Sequence, residues 1–201
     1  MEHQLLLDNF KQFISLSQGE EQTALGYSIE RSFKRGGFLT VEKEVNRYTN
    51  FIVKGSCRVF YIDTNGSEHV IQLGIRNWWT GDFSSFITQQ PGMMYTEALE
   101  PTTVLSFSYD DLELLFEKVP KMERFFRLII QKAYAAFQKR ILQSMSMDAE
   151  QRYITFSTAY PAIDLQVSQK HIASYLGMSP EFLSTIKKRI VQKKRNHNKT
   201  L

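Results

Sequence analysis

A chain of 201 residues carrying a net charge of +4, with 42% hydrophobic and 23% charged residues, has the composition of a globular protein able to bury a sizeable core in one or two domains. No apolar run approaches the ~20 residues of a membrane-spanning helix, and the start MEHQLLLDNF lacks the basic and long apolar segments of a secretion signal, so a cytoplasmic location and no membrane partner are expected. A lone Cys57 excludes an intramolecular disulfide, as suits a reducing compartment. Charge is unevenly placed: residues 146–201 hold nine Lys or Arg against four Asp or Glu, residues 1–145 sixteen against seventeen. Only the C-terminal quarter is suited to meet a polyanion.

Residues 3–33 place apolar side chains at roughly helical spacing (Leu5, Leu6, Phe10, Phe13, Ile14), which predicts short helices broken at Gly19. From Phe33 the period changes. Phe38–Val41 and Phe51–Val53 are short β-prone runs; Cys57, Val59 and Tyr61 alternate with Arg58, Phe60 and Ile62; and Asn65-Gly66 joins that strand to His69–Leu73 as a hairpin. Further short strands are expected around Trp78-Trp79, Met94–Leu99 and Thr103–Phe107, together a small antiparallel barrel or jelly roll.

At Tyr109-Asp110-Asp111 the pattern turns helical, and from Pro120 to about Met145 neither Gly nor Pro interrupts a single long helix. Met122, Phe126, Ile129, Ala133, Ala136 and Ile141 recur along it at mostly three- and four-residue spacing, the seam of a helix packing along a partner helix, with the two alanines allowing close approach. Met122, Phe126, Ile129, Ala133 and Ala136 are therefore the candidate dimer interface. Asp148 and Gln151 form a capping box for the next helix, which ends at Pro161.

The stretch QKHIASYLGMSPEFLSTIKK, Gln169–Lys188, reads as a helix-turn-helix. Its first helix is apolar at Ile172, Ala173 and Leu176, Gly177 supplies the turn, Ser179-Pro180 starts the second helix, and Leu183 and Ile186 pack it back. Outward polar residues suit a helix lying in a major groove, and from Phe182 to Leu201 seven Lys or Arg occur with no Asp or Glu. Candidate DNA-binding residues are Ser168, Gln169, Lys170, Ser179, Glu181, Ser184, Thr185, Lys187 and Lys188. Glu181 is suited to accept from cytosine N4 and Ser184 or Thr185 to meet a base edge, while Ser179, Gln169, Lys170, Lys187 and Lys188 are suited to phosphates. Beyond Ile190 a basic tail that frays is expected.

A β-roll, a long helix and a C-terminal helix-turn-helix together resemble the CRP/FNR family of bacterial transcription regulators. The resemblance rests on Phe51-Ile52-Val53-Lys54-Gly55, Gly66, Thr80-Gly81-Asp82, Ala98-Leu99-Glu100, and Ile172 to Gly177 with Leu183-Ser184. The fold it implies is α+β: an antiparallel, jelly-roll-like sensor of cyclic-nucleotide-binding type at 1–110, a dimerisation helix and linker at 111–146, and an all-α helix-turn-helix domain at 147–201 without a full wing. The partners it implies are double-stranded promoter DNA, a second copy of the chain, RNA polymerase, and a small-molecule effector in a pocket formed by Gly81, Asp82, Phe83, Ser84, Ser85, Met93, Met94 and Tyr95. Trp78, Trp79, Phe83, Phe86 and the methionines either line that pocket or fill the barrel.

The chain departs from the family pattern at both sites. Where cyclic-nucleotide-binding members place an arginine for the phosphate, this chain has Gly92-Met93, and no arginine lies between Arg76 and Arg124. A buried phosphodiester without a cation is left uncompensated, so cyclic AMP is not expected as a tight ligand, and a genuinely cyclic-nucleotide-responsive regulator is the alternative. Pro180 and Thr185 stand where the family usually has base-reading arginines. Cys57 alone cannot hold an iron–sulfur centre, and His3, His69, His171 and His197 lack metal-ligand spacing. No cofactor, metal or catalytic site is expected, and no enzymatic activity.

Overall fold

A computed structural model describes residues 2–197, with side chains through Lys193. Two helices, α1 (Glu2–Lys11) and α2 (Gln18–Gly26), come first, and Gly19 lies inside the second rather than between them. The break is made by a cap: Ser17 Oγ accepts from the Glu20 N–H (3.3 Å), and the Glu20 carboxylate accepts from the Ser17 N–H (2.7 Å). Residues expected to continue as helix form a strand instead, β1 (Ile29–Phe33).

Next come β2 (Phe38–Thr40), β3 (Tyr48–Lys54), β4 (Ser56–Ile62), β5 (Glu68–Ile75), β6 (Trp79–Thr80), α3 (Phe83–Thr88), β7 (Tyr95–Ala98) and β8 (Thr102–Ser108). All pair antiparallel in two four-stranded sheets, ordered β1-β8-β3-β6 and β2-β7-β4-β5. This is the expected roll. Asn65-Gly66 does sit in the β4–β5 turn, a five-residue loop in which the Asp63 carboxylate accepts from the Asn65 and Ser67 N–H groups. Gly55, between β3 and β4, takes φ +88°, and a Cβ there would lie 2.4 Å from Thr102 Oγ1, so only glycine lets the two sheets meet at that corner.

The main core fills one end of the roll and the helices against it. Leu6 and Phe10 of α1 meet Phe51, Leu105 and Phe107 of the strands, Leu112 and Leu115 of α4 (Tyr109–Lys118), and Met122, Phe125 and Phe126 of α5 (Lys121–Ser146). Phe10 and Phe125 meet edge to face at 4.8 Å, and the Trp79 ring lies 5.1 Å from Phe126 while its Nε1 donates to Asn9 Oδ1 (3.1 Å).

The long helix runs 26 residues, about 39 Å at the α-helical rise. Its face differs from the expected seam. Met122 and Phe126 are buried in the chain's own roll, Ile129 packs on the same core, and Ala133 and Ala136 continue that face beyond the roll, where they are exposed. The uncovered apolar stripe lies roughly a quarter turn round the helix: Ile130, Tyr134, Phe137, Ile141 and Met145 are all exposed, at spacings of four, three, four and four. Two apolar stripes thus run along α5, and the roll covers one of them.

Beyond it lie α6 (Ala149–Ala159), α7 (Pro161–Gln166), α8 (Gln169–Tyr175) and α9 (Pro180–His197). The Asp148–Gln151 capping box forms, and Pro161 opens α7, an element not foreseen. The basic segment after Ile190 continues α9 through His197 instead of fraying; residues 198–201 lie outside the described residues. Among the described residues no strand follows α8.

A second core joins these helices to the outside of the roll. Phe60, Val70 and Leu73 of the β4–β5 hairpin pack with Tyr153, Phe156, Ile163, Ile172, Ala173, Leu183 and Ile186. The hairpin therefore has two buried faces. Cys57 and Val59 point into the roll, and Arg58 and Phe60 point out under the helices.

Candidate nucleic-acid interface

The turn between α8 and α9 is made as its residues require. Gly177 takes φ +68°, and the Met178 N–H returns to the Ala173 carbonyl (3.0 Å), which ends α8. Ser179 Oγ accepts from the Phe182 N–H (3.2 Å), with Pro180 at the first helical position of α9. Leu183 and Ile186 are buried against Ile172 and Ala173. One face of α9 is held down, and the opposite face is left bare.

That bare face carries Glu181, Phe182, Thr185, Lys188 and Arg189, all exposed. Thr185 donates its hydroxyl to the Glu181 carbonyl (3.0 Å), and the Glu181 carboxyl is held below the usual range by hydrogen bonds from its own backbone N–H and from Ser179. Ser184 is only half exposed. Of the expected phosphate contacts, Gln169, Lys170, Ser179 and Lys188 are exposed, as is the further candidate Ser168. Lys187 is not available: its Nζ donates to Asp164 Oδ1 (3.0 Å) and lies over the Tyr153 ring (5.2 Å). The helical period explains this, because Lys187 follows Leu183 and Ile186 round to the covered side. Phe182 and Arg189 were missed. Arg189, 3.6 Å from Glu150, lies on the outward stripe by its i+4 relation to Thr185, and an exposed phenylalanine is easily taken from sequence for core.

Helices α8 and α9 are seated on the roll. Ser174 of α8 bonds the edge of β5 twice, its Oγ accepting from the Val70 N–H (3.0 Å) and donating to the Glu68 carbonyl (3.1 Å). Arg140 of α5 donates to the carbonyl of Ile71, the residue skipped by the β4–β5 register shift, and lies over the Tyr175 ring. Beneath α8, Arg58 is buried, with Nε donating to Glu97 (2.6 Å) and its terminal nitrogens to Glu68. Burial works against its charge, but the bonds to the two carboxylates outweigh that and raise its pKa. Arg58 Nη1 lies 3.4 Å from His171 Nδ1, and burial, then the Arg58 charge, push the imidazole below its ordinary 6.5. Lys170 Nζ lies 4.0 Å from Glu68. Two adjoining clefts of about 300 and 530 Å³ flank this contact and share His171.

The residues expected to form one effector pocket are not brought together. Gly81, Asp82 and Ser85 lie inside: Asp82 Oδ1 caps α3 by accepting from the Ser85 N–H (3.1 Å), and Ser85 Oγ accepts from the Asn46 N–H and donates to the Gln90 carbonyl. Ser84 and Met93 are exposed, Phe83 and Met94 half-buried, and Tyr95 stacks on Phe60 on the outer face and donates to Glu42. Of these residues Tyr95 alone lies on β7, where Thr96 and Ala98 take the inner positions and Tyr95 and Glu97 the outer. Asp82 Oδ2 is buried without a hydrogen-bond partner, and a Cβ on Gly92 would lie 2.5 Å from it. An uncompensated carboxylate oxygen, with no arginine on the surrounding stretch, does not fit an anionic nucleotide.

The family of the cyclic nucleotide-binding domain matches residues 30–119. The anaerobic regulatory protein of Haemophilus influenzae is 26% identical over 148 residues, covering 67% of this chain and 56% of that protein. The chain thus spans little more than half the length of this relative. Among solved structures, FixK2 of Bradyrhizobium japonicum superposes with a TM-score of 0.74 at 17% identity, covering 83% of this chain and 86% of that one. The c-di-GMP-responsive global regulator CLP of Xanthomonas campestris gives 0.69 at 15% identity, over 89% and 93%. Among the described residues no helix is long and apolar enough to cross a membrane, and no group of three or more His, Cys, Asp or Glu is arranged to hold a metal ion.

Proposed function

We propose, for a chain that belongs to the CRP/FNR family of bacterial transcription regulators, that it reads promoter DNA as a homodimer through α8 and α9. The observation that carries the reading is the bare face of α9: a helix held down by Leu183 and Ile186 turns Phe182, Thr185, Lys188 and Arg189 outward. The uncovered apolar stripe of α5 supports dimerisation, which would place two such helices against two half-sites. RNA polymerase is the further partner such a reader would need, in a cytoplasmic setting.

The test is fluorescence anisotropy of the full chain with duplexes it selects from a random pool. Binding is expected to fall about 10³-fold between 50 and 200 mM salt, as for roughly six phosphate contacts per dimer. No duplex binding at low salt with any sequence would sink the proposal.

Control by cyclic AMP is not part of this reading, because Asp82 Oδ2 faces Gly92 where a cation is required. Titration calorimetry with cyclic AMP or cyclic GMP should give no heat at micromolar ligand and leave the melting temperature unchanged. A micromolar dissociation constant would instead establish a cyclic-nucleotide-responsive regulator.

A further inference from the structure

The outward face of α9 has an apolar edge, formed by Phe182 and Thr185 beside the charged Glu181 and Lys188. Thr185 has turned its hydroxyl onto the Glu181 carbonyl (3.0 Å), so the γ-methyl is what it has left to present. Glu181 is drawn toward Ser179 and the start of its own helix. Phe182 stands in the first turn of α9 with 47% of its surface exposed, and its N–H is taken by Ser179 Oγ (3.2 Å), which fixes the backbone from which the ring projects. Arg189, 3.6 Å from Glu150, follows two turns along the stripe of Phe182, and Lys188 lies beside it, so cations border the apolar edge.

A face of this kind has one natural complement in duplex DNA. The floor of the major groove offers hydrogen-bonding edges at every base pair but only one apolar group, the C5-methyl of thymine, and the first turn of a recognition helix is the part that meets base edges. Cations along the same stripe match the phosphates that rim the groove. We propose that Phe182, with the Thr185 methyl one turn along, is the specificity-determining contact of this reader, and that it selects thymine through its methyl group. The inference rests on the DNA-reading function proposed above.

The experiment replaces each thymine of a pool-selected duplex by deoxyuridine, one position at a time, and measures affinity by anisotropy for the full wild-type chain and for Phe182→Ala. At one position per half-site, loss of the methyl should weaken the wild type about fourfold, and about fifteenfold when both half-sites are changed. Phe182→Ala should bind thymine and uracil duplexes alike there while keeping the wild-type salt dependence and melting temperature. If uracil is neutral at every position while salt-dependent duplex binding persists, the thymine contact is wrong and the reading function stands. Equal weakening of thymine and uracil duplexes by Phe182→Ala also overturns it. Absence of any duplex binding removes the inference together with the function beneath it.

Discussion

Replacing Arg58 by alanine is expected to destabilise the folded chain by about 3 kcal/mol, the order seen when one partner is removed from a buried charge network. Among the described residues Arg58 is the only cation within hydrogen-bonding distance of both Glu68 and Glu97, and its own side chain is 7% exposed. Removing it leaves two carboxylates crowded under α8, with Lys170 at 4.0 Å from Glu68 the nearest replacement. The partial exposure of Glu68, 34%, keeps the effect below the largest values known for such networks. Chemical denaturation measures the loss, and amide exchange should show the Val70 N–H, now held by Ser174, exchanging faster. A triple change, Arg58→Met with Glu68→Gln and Glu97→Gln, should recover most of the stability because no charge is left unpaired. An Arg58→Ala midpoint within 0.5 kcal/mol of wild type would mean that the apolar cluster around Phe60 and Ile172 alone seats the helices.

A charge placed in the uncovered stripe of α5 should separate the two copies of the proposed dimer without unfolding either. Ile141→Glu is expected to convert the dimer to monomer in analytical ultracentrifugation and to weaken duplex binding about 100-fold, because the second half-site loses the effective concentration supplied by linkage. Its melting temperature, at a concentration where the wild type is already monomeric, should hardly move, since the side chain is 42% exposed in the single chain. Phe126→Ala should do the reverse. That ring is 5% exposed inside the roll core, so truncation is expected to cost about 3–5 kcal/mol of folding stability with little direct effect on association. If Ile141→Glu stays dimeric, the pairing face lies elsewhere on the chain.

These two predictions mark where the sequence was legible. Elements with strong local signals were readable in advance: the Asn65-Gly66 hairpin, the Asp148–Gln151 capping box, the Gly177 turn and the uninterrupted α5 all encode their geometry within a few residues. What a periodic pattern cannot encode is the identity of its neighbour. Met122 and Phe126 satisfied the spacing of an interchain seam while packing on the chain's own roll, and Lys187 looked like a phosphate contact until Asp164 of α7 was placed beside it. The Arg58–Glu68–Glu97–His171 contact was invisible for the same reason, since residues 58 and 171 meet only because α8 roofs the outer face of β4. The effector residues are neighbours in sequence, but α3 buries Ser85 and exposes Ser84, and β7 turns Tyr95 to the outer face of its sheet.

The docking of Ser174 on β5 also bears on how the chain tolerates its own movement. β5 is an edge strand, and the backbone groups of Glu68, Val70 and Ile71 that would otherwise stand open are taken by α8 and by Arg140. A state in which α8 and α9 leave the roll therefore bares a row of unpaired donors and acceptors beside the apolar side chains of Val70 and Leu73. Such a strand is a template for addition of another chain. The helices proposed to read DNA thus also guard this protein against aggregation, and a substitution that loosens them acts on solubility as well as on the proposed recognition.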